Sequence, residues 1–399
     1  MDKKETEKQP PSWRDCTPSQ KRVLLGIRRC GSCTREHLGT ILGLPASSVS
    51  REVSPLLLEG TLISDPPGVR RRNAQLSVAP SLAYAIGVEV GFEKVRALAV
   101  NLRGEPVGVV KEYRPDRRDA PAFLQCVQKV VREILAQPYA SRVLGIGVGF
   151  ANRGLWNPAQ AFAREREEGK GDPLVHALEQ TFRLPVRSRS DAACAALGEH
   201  RSGKLRGVDN GLFVLYLEGI GLGVIAAGQV VYGEWNDAGE LGHIPVDDDG
   251  DYCHCGNIGC LETVAAQWAL VKRARQIMQG GGQVNFRRIP NLNSLQISDL
   301  CAMAATGDQL ARNMLAKAGR ALGRALAISA SLFDPAAIIL GGDLMDTKAY
   351  GPMIAAMREN FQTLTAHRTP QPIRFEVSAL GNDATVFGAA ELVFADLLA

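Results

Sequence analysis

The chain has 399 residues, 45% of them apolar, and a net charge of +4, so it is too long for one ordinary core and two or three domains are expected. No apolar stretch is long and clean enough to span a bilayer, and the opening MDKKETEKQPPSW lacks the apolar core of a secretory signal, which points to a soluble cytoplasmic protein. Residues 1–81 hold 13 Lys+Arg against 8 Asp+Glu and the remainder 33 against 34, so a polyanionic partner is expected at the N-terminal end.

Thr17-Pro18-Ser19-Gln20 is a capping box with proline at the first helical position; Val23, Leu24 and Ile27 then form an apolar stripe that Gly31 ends. A second short helix follows Thr34, with Leu38, Ile41 and Leu42 at helical spacing. A third, opened by Ser47, buries Val49, Val53 and Leu56 and contains Pro55, which removes a backbone donor and is expected to bend its last turns. TLIS and NAQLSVA, joined by DPPGVRRR, read as a hairpin with a basic tip. Three short helices and such a hairpin make a winged helix-turn-helix. Its third helix would present Ser47, Ser48, Ser50 and Arg51 to a major groove, and Arg70, Arg71 and Arg72 would meet phosphates or a narrow minor groove of double-stranded DNA. A small dimerisation or protein-docking module is the competing reading. The Cys30-Gly31-Ser32-Cys33 stretch has redox or metal spacing, but it falls at a helix–helix turn with no second cysteine pair nearby.

From LAYAIGVEVG onward, strands alternate with helices, the grammar of an α/β body. VRALAV, VGVVKEY and RVLGIGVGF read as strands, and a helix opened by Asp119 and Pro121 carries Phe123, Val127, Val130, Val131 and Ile134. LPVRSRS feeds the helix DAACAALGEH. The pattern then repeats: GLFVLYLEGIGLGVIAAGQVVYG as two strands around glycines, a long Ala-rich helix from about Asp308 to Leu332, and the late strands AAIILGGD and PIRFEVSAL. Two lobes with the same opening suggest a duplicated fold with a cleft. Gly319 and Gly323 on the long helix allow close helix packing.

The stretch GELGHIPVDDDGDYCHCGNIGCLE, residues 239–262, carries the most concentrated chemistry. His243, Cys253, Cys255 and Cys260 supply four ligands at H-x9-C-x-C-x4-C, enough to close a tetrahedral structural zinc site worth on the order of 10 kcal/mol to folding. His254 lies between two of the cysteines and competes with His243 for the nitrogen position; free surface thiols are the bland alternative. Together with DAGELGH, DAACAALGE and DPAAIILGGD, this stretch resembles the ROK family (repressors, open reading frames and kinases), within the sugar-kinase and actin-like superfamily. The resemblance implies a winged helix in residues 1–81, a first α/β lobe in 82–199 completed by the C-terminal helix 384–399, and a second lobe with the zinc loop in 200–383. The lobes would form a two-lobed actin-like, ribonuclease H-like fold. It favours His243 as the nitrogen ligand, with its other ring nitrogen facing a sugar hydroxyl. It also implies sugar contacts from Glu240 and Glu262, and matches Asp191 to the kinases' general base; carboxylates suit this because they accept from adjacent hydroxyls.

Departures from the kinase pattern decide the expected activity. Asparagines flank that aspartate in the kinases, and here Ser190 and Ala193 stand in their places, so sugar contacts at Ser190 and Asp191 would be altered. The first phosphate loop, D-x-G-G-T-K in the family, reads Glu89-Val90-Gly91-Phe92-Glu93-Lys94, and the second, G-T-G-x-G-x-G, reads Leu217-Glu218-Gly219-Ile220-Gly221-Leu222-Gly223. A carboxylate about 4 Å from a phosphate charge costs a few kcal/mol even at an effective dielectric near 20. The expectation is therefore a DNA-binding regulator, a repressor of sugar-utilisation genes, with no catalytic residue at work. It would bind operator DNA as a dimer or tetramer, respond to a sugar or sugar phosphate, carry structural zinc and have no membrane partner. An active sugar kinase with an accessory DNA-binding module, or a regulator controlled by a protein partner, are the alternatives.

Overall fold

The computed structural model describes residues 13–65, 74–92, 94–115, 120–151, 173–279, 292–366 and 372–396. Three helices come first: α1 (Pro18–Cys30), α2 (Arg35–Leu42) and α3 (Ala46–Leu58). Thr17 and Gln20 form the expected capping box, each accepting from the other's backbone amide, an arrangement worth about 1 kcal/mol. Thr34 caps α2 by accepting from the His37 amide. Leu38 is fully buried, whereas Ile41 is exposed, so the second helix buries a narrower stripe than its spacing suggests. The third helix starts two residues earlier than expected: Pro45 sits at the cap position with no side-chain bond, and Ser47 lies inside the helix. Pro55 is accommodated without ending the helix, which continues to Leu58 and buries Val49, Val53 and Leu56. Strands β1 (Leu62–Asp65) and β2 (Gln75–Val78) pair antiparallel from Leu62↔Val78 to Asp65↔Gln75. The CGSC segment is structural. Gly31 ends α1 at φ 75°, Cys33 bridges Leu76 through two backbone hydrogen bonds, and burial pushes its thiol up to about 11.

Strands β3 (Tyr84–Val90), β4 (Val95–Asn101), β5 (Pro106–Tyr113), β6 (Val143–Phe150) and β7 (Val186–Ser190) form one sheet in the order β5-β4-β3-β6-β7. The first three are an antiparallel meander and β6 joins β3 in parallel. Helix α4 (Ala120–Leu135) covers it with Phe123, Val127, Val130, Val131 and Ile134, all buried as their spacing requires. Helix α5 (Pro173–Phe182) adds Leu174 and Leu178 to the same core. Helix α6 (Asp191–Ser202) then leads to strands β8 (Gly211–Tyr216), β9 (Ile220–Ala226) and β10 (Gln229–Val230), three where the sequence suggested two.

The second sheet, β10-β9-β8-β11-β12, repeats the first: an antiparallel meander, then the parallel strands β11 (Ala337–Gly342) and β12 (Arg374–Val377). Helices α7 (Leu261–Ala265), α8 (Gln267–Gln279), α9 (Ile297–Ala305), α10 (Gln309–Phe333) and α11 (Gly351–Thr365) lie between these strands in sequence, and α12 (Ala384–Asp396) follows β12. Asp308 caps α10 by accepting from the Ala311 amide. A shared strand order in two successive segments is the mark of a duplicated α/β fold.

Two compact units result. The first holds the described residues up to Phe150, those from α5 to Ser188, and α12 from Ala389; the second holds Ala151 and the described residues from Arg189 to Gly388. The winged helix therefore belongs to the first unit, and α6 falls with the second sheet, earlier than the break expected at 199/200. Helix α10 packs backbone-close on α11: a Cβ on Gly319 would stand 2.1 Å from the Met353 carbonyl oxygen, and one on Gly323 2.5 Å from that of Met357. Gly319→Leu should therefore force the helices apart, costing ~2 kcal/mol or more, read as a melting temperature several degrees lower.

Candidate functional site

The site is built around the β8–β9 turn, within the second unit. Glu262 opens α7, and its buried carboxylate accepts the Ile220 amide at 2.8 Å. Burial pushes that carboxyl up, and the Ile220 hydrogen bond pulls it part of the way back. On the other side of the same turn, a Cβ on Gly221 would stand 2.8 Å from Ala192 Cβ, the residue after Asp191. The helix that begins at Asp191 and the carboxylate of Glu262 thus meet neighbouring residues of one hairpin. Glycines at 219, 221 and 223 serve this packing, and in the sequence they read only as a phosphate loop.

Glu240 and His243 arrive on a 3-10 turn, Leu241–His243. The turn is pinned at Gly239, which has φ 92° and accepts the Leu222 amide at 2.8 Å. A Cβ there would lie 1.8 Å from the Leu222 carbonyl oxygen, so no other residue fits without moving the turn. A Cβ at Gly242 would meet Glu262 Cγ at 2.6 Å and the Ile220 carbonyl oxygen at 2.7 Å, which brings Glu240, His243 and Glu262 to one place.

The His243 ring is shared between two neighbours. Its Nδ1 lies 3.6 Å from Cys253 Sγ and its Nε2 3.7 Å from Glu240 Oε2. Cys255 and Cys260 place their sulfurs 3.6 Å apart, and the ligand atoms of His243, Cys253, Cys255 and Cys260 all lie within 4.8 Å of one another. A tetrahedron with metal–sulfur bonds near 2.3 Å has sulfur–sulfur edges of about 3.8 Å, so the four donors are spaced to hold a divalent cation. Burial pushes the Cys253 and Cys260 thiols up; a bound cation would supply the charge that holds them as thiolates. His254 approaches as well, its ring edge-on to His243 at 5.1 Å, and His243, His254 and Glu262 form a second possible donor set. The first set is favoured because it uses all three cysteines and turns the remaining His243 nitrogen toward Glu240. The loop itself is short-range: Cys253 donates to the Asn257 carbonyl, Gly256 to that of Cys253, and Val246 to that of Gly259.

Ser190 and Asp191 divide the work at the start of α6. Ser190 Oγ caps the helix by accepting the Ala193 amide at 3.3 Å, and Asp191 Oδ1 accepts the Ala192 amide at 2.7 Å. The helix cap is therefore Ser190, leaving Asp191 as the first helical residue. In the first unit, Glu89 is buried and paired with Arg96 at 3.0 Å, and Arg96 Nε reaches Glu112 at 3.6 Å. In the sequence Glu89 is only the first position of the phosphate loop and Arg96 carries no signal; their facing positions on β3 and β4 follow only from the register Glu89↔Arg96. Glu93 lies outside the described residues, while Glu218 stands half-buried before Gly219. After β11, Gly342 adopts φ 64° with no room for a Cβ, 2.1 Å from the Tyr216 carbonyl oxygen. Beside it is a cavity of about 720 Å³ lined by Cys301, Asp343, Asp346, Tyr350 and Asn382.

On α3, Ser47, Ser50 and Arg51 are exposed, and Ser48 is half-buried. The Arg51 side chain is 77% accessible, with Glu52 3.8 Å away. Arg70, Arg71 and Arg72 lie outside the described residues.

Residues 85–396 match the sequence pattern of the ROK family. The chain belongs to the ROK family. Among its ROK relatives, the DNA-binding transcriptional dual regulator NagC of Escherichia coli K12 is 36% identical over 219 residues, 53% of this chain and 52% of that protein, so the match spans about half of that relative's length. The xylose repressor of Bacillus subtilis is 25% identical over 385 residues, 94% of each chain, and a glucokinase of Halalkalibacterium halodurans is 29% identical over 78% of this chain and 94% of its own. Among solved structures, a ROK family transcriptional regulator described as a homologue of the E. coli MLC protein covers 95% of both chains at 25% identity with a TM-score of 0.71. A ROK glucokinase from Streptomyces griseus, in complex with glucose and AMPPNP, covers 78% of this chain and 99% of its own at 26% identity with a TM-score of 0.61. The α/β body thus has the ROK fold common to repressors and sugar kinases, and the N-terminal helices extend it as in the regulator.

Cys255→Ser should leave purified protein with little of the metal found in the wild type and lower its melting temperature clearly, because the four donors close the loop together; unchanged metal content and melting temperature would remove the metal-site assignment.

Proposed function

We propose that this chain is a sugar-responsive transcriptional repressor. In this reading residues 1–81 bind operator DNA and the ROK body senses a sugar or sugar phosphate. The observation that carries it is the extent of the matches: a xylose repressor and a ROK regulator structure align along 94–95% of this chain, including its winged helix, whereas the glucokinases align along 78% and leave it out. Ser47, Ser50 and Arg51 would face the bases and backbone of a major groove, with Ser48 at the edge of that surface and Arg70–Arg72 on the wing. Homodimers or tetramers would match palindromic half-sites.

In the body, Glu240, Glu262 and the Nε2 nitrogen of His243 would hold sugar hydroxyls, joined by Ser190 and Asp191 from the start of α6. The cation is proposed to be zinc with a structural role, because four protein donors leave no open position for a substrate. When bound, it would fix the His243 ring and the loop that presents Glu262. ATP use is not expected. The Glu89 carboxylate is engaged by Arg96, and Glu218 puts negative charge where the second loop would meet a phosphate, whereas phosphoryl transfer depends on cancelling that charge.

Two observations keep a kinase reading in play: Asp191 does not serve as the helix cap, and a cavity lies beside Gly342 and Asp343, in the segment that resembles the one near adenosine in the family's kinases. Purified protein with ATP and a panel of hexoses and amino sugars should show no turnover above the protein-free rate; steady turnover would establish the kinase.

Selection of bound fragments from sheared source DNA, followed by sequencing, should enrich a few palindromic sites. Arg51→Ala should weaken binding to those sites by about 1–3 kcal/mol if it reads a base, or uniformly across sequences if it meets phosphate. Salt-sensitive binding with no preferred site would overturn the repressor reading. For the effector, Glu240→Gln should weaken binding of the responsive sugar about tenfold or more, measured by calorimetric titration, since a charge-assisted bond to a hydroxyl is lost.

A further inference from the structure

The winged helix is not carried on a loose tether. Its exit, Ala79–Ala83, is buried at Ala79, Leu82 and Ala83, includes a 3-10 turn at Pro80–Leu82, and has the Ser81 carbonyl accepting from Arg142 at 2.8 Å. The wing is fastened too: Arg103, beyond β4, donates to Ser77 Oγ on β2 at 3.1 Å. The strongest fastening is Arg28, near the end of α1. Its Nη2 lies 2.6 Å from both carboxylate oxygens of Glu391 on α12, and its Nε donates to the Leu102 carbonyl at 2.6 Å. Its guanidinium plane sits over the Phe394 ring at 4.5 Å. Both side chains are almost wholly buried, at 7% and 2% accessible. The Nε and Nη2 groups of that guanidinium are thus both spent on the body.

Helix α12 is also where the chain passes from the second unit into the first, between Gly388 and Ala389. Within the second unit its start is seated tightly: a Cβ on Gly388 would lie 1.5 Å from the Cys194 carbonyl oxygen of α6, and one on Gly198 of α6 2.6 Å from the Ala384 carbonyl oxygen. Within the first unit its continuation is seated as tightly, since a Cβ on Gly147 would lie 1.7 Å from the Ala389 carbonyl oxygen. One stiff helix therefore begins against α6, which carries Ser190 and Asp191 at its start, and ends on Arg28 of the DNA reader.

We propose that Arg28 is a positioning residue for the coupling of sugar to DNA binding, not for DNA binding itself: the Arg28–Glu391 pair makes the winged helix one rigid piece with the end of α12, so that a sugar-induced shift of α6 reaches the reader through this helix. The inference rests on the sensor reading above for what is transmitted, and on geometry alone for the fastening. A ligand can only bias a state that differs in its contacts, and a helix held at both ends supplies such a difference at a distance.

The test uses the full chain and the double variant Arg28→Met with Glu391→Leu, which replaces a buried ion pair by apolar side chains of similar size and is expected to fold. The probes are a genomic fragment selected by the wild type and glucose, xylose and N-acetylglucosamine as effectors. In the wild type the responsive sugar should lower operator affinity by about 5- to 150-fold. In the double variant, sugar affinity and sugar-free operator affinity should stay within about threefold of wild type, and the sugar effect should fall below about twofold. Retention of the wild-type sugar effect in the folded double variant would overturn the proposal. Glu391→Gln, which keeps the shape and one hydrogen bond, should give an intermediate effect, which a purely packing role would not produce.

A second readout is independent of DNA and sugar. In calorimetry the reader should unfold together with the first unit in the wild type and in a separate, earlier transition in the double variant. If no sugar changes operator binding by the wild type, the sensor reading fails while this transition still decides the fastening. An unchanged single transition in the double variant would overturn the fastening itself.

Discussion

Between Asp247 and Gly259 the large apolar side chains, Tyr252 and Ile258, are both exposed, so this segment has little apolar surface to hold it in place. The Cys3His cluster resolves this. Its donors draw together the turn that carries Glu240 and His243, the cysteine loop, and the helix start that carries Glu262. A loop of this composition pays its ordering entropy through ligand spacing and local backbone bonds in place of a core. Without that constraint Glu262 would still be anchored by the Ile220 amide, but His243 would lose the neighbour that fixes which ring nitrogen faces Glu240. The proposed recognition of a sugar therefore depends on an element of which His243 alone would touch the ligand.

The same body has the fold that repressors and sugar kinases share, and its first loop differs from the kinase pattern in how its charge is partnered. Glu89 occupies a place where a carboxylate serves phosphate chemistry in the kinase pattern, and here it is buried against Arg96. Breaking such a buried pair is costly, so the loop is internally satisfied. The carboxylates proposed to face sugar hydroxyls fit that role, because hydroxyls demand acceptors whether or not a phosphate follows.

Much of the local structure was legible in the sequence. The stripe Phe123, Val127, Val130, Val131 and Ile134 announced its helix because a helix face repeats every 3.6 residues. The capping box at Thr17 and the cap at Thr34 were readable because short polar side chains satisfy amides that a helix start cannot. Reading failed where two preferences competed. Ser47 looked like a cap, but Pro45 already supplied the extended backbone that begins the helix. Ile41 has the right spacing to be buried, yet the packing of α2 covers Leu38 and leaves Ile41 exposed.

The sequence by itself determined the ligand types, their spacing, the periodicity of the elements and the duplication of the α/β grammar, because each is set by residues close together along the chain. Only the tertiary structure decided partners that lie far apart in it. Arg28 and Glu391 are 363 residues apart, and neither carries any local signal that it is half of a buried pair. The register of β3 on β4 placed Arg96 against Glu89, and the packing of Gly221 on α6 and Gly242 on Glu262 brought the proposed sugar contacts around one turn. Such contacts depend on which surfaces approach closely enough to exclude a Cβ, and that is fixed by the assembled sheets and helices, with no pattern in any single segment to reveal it.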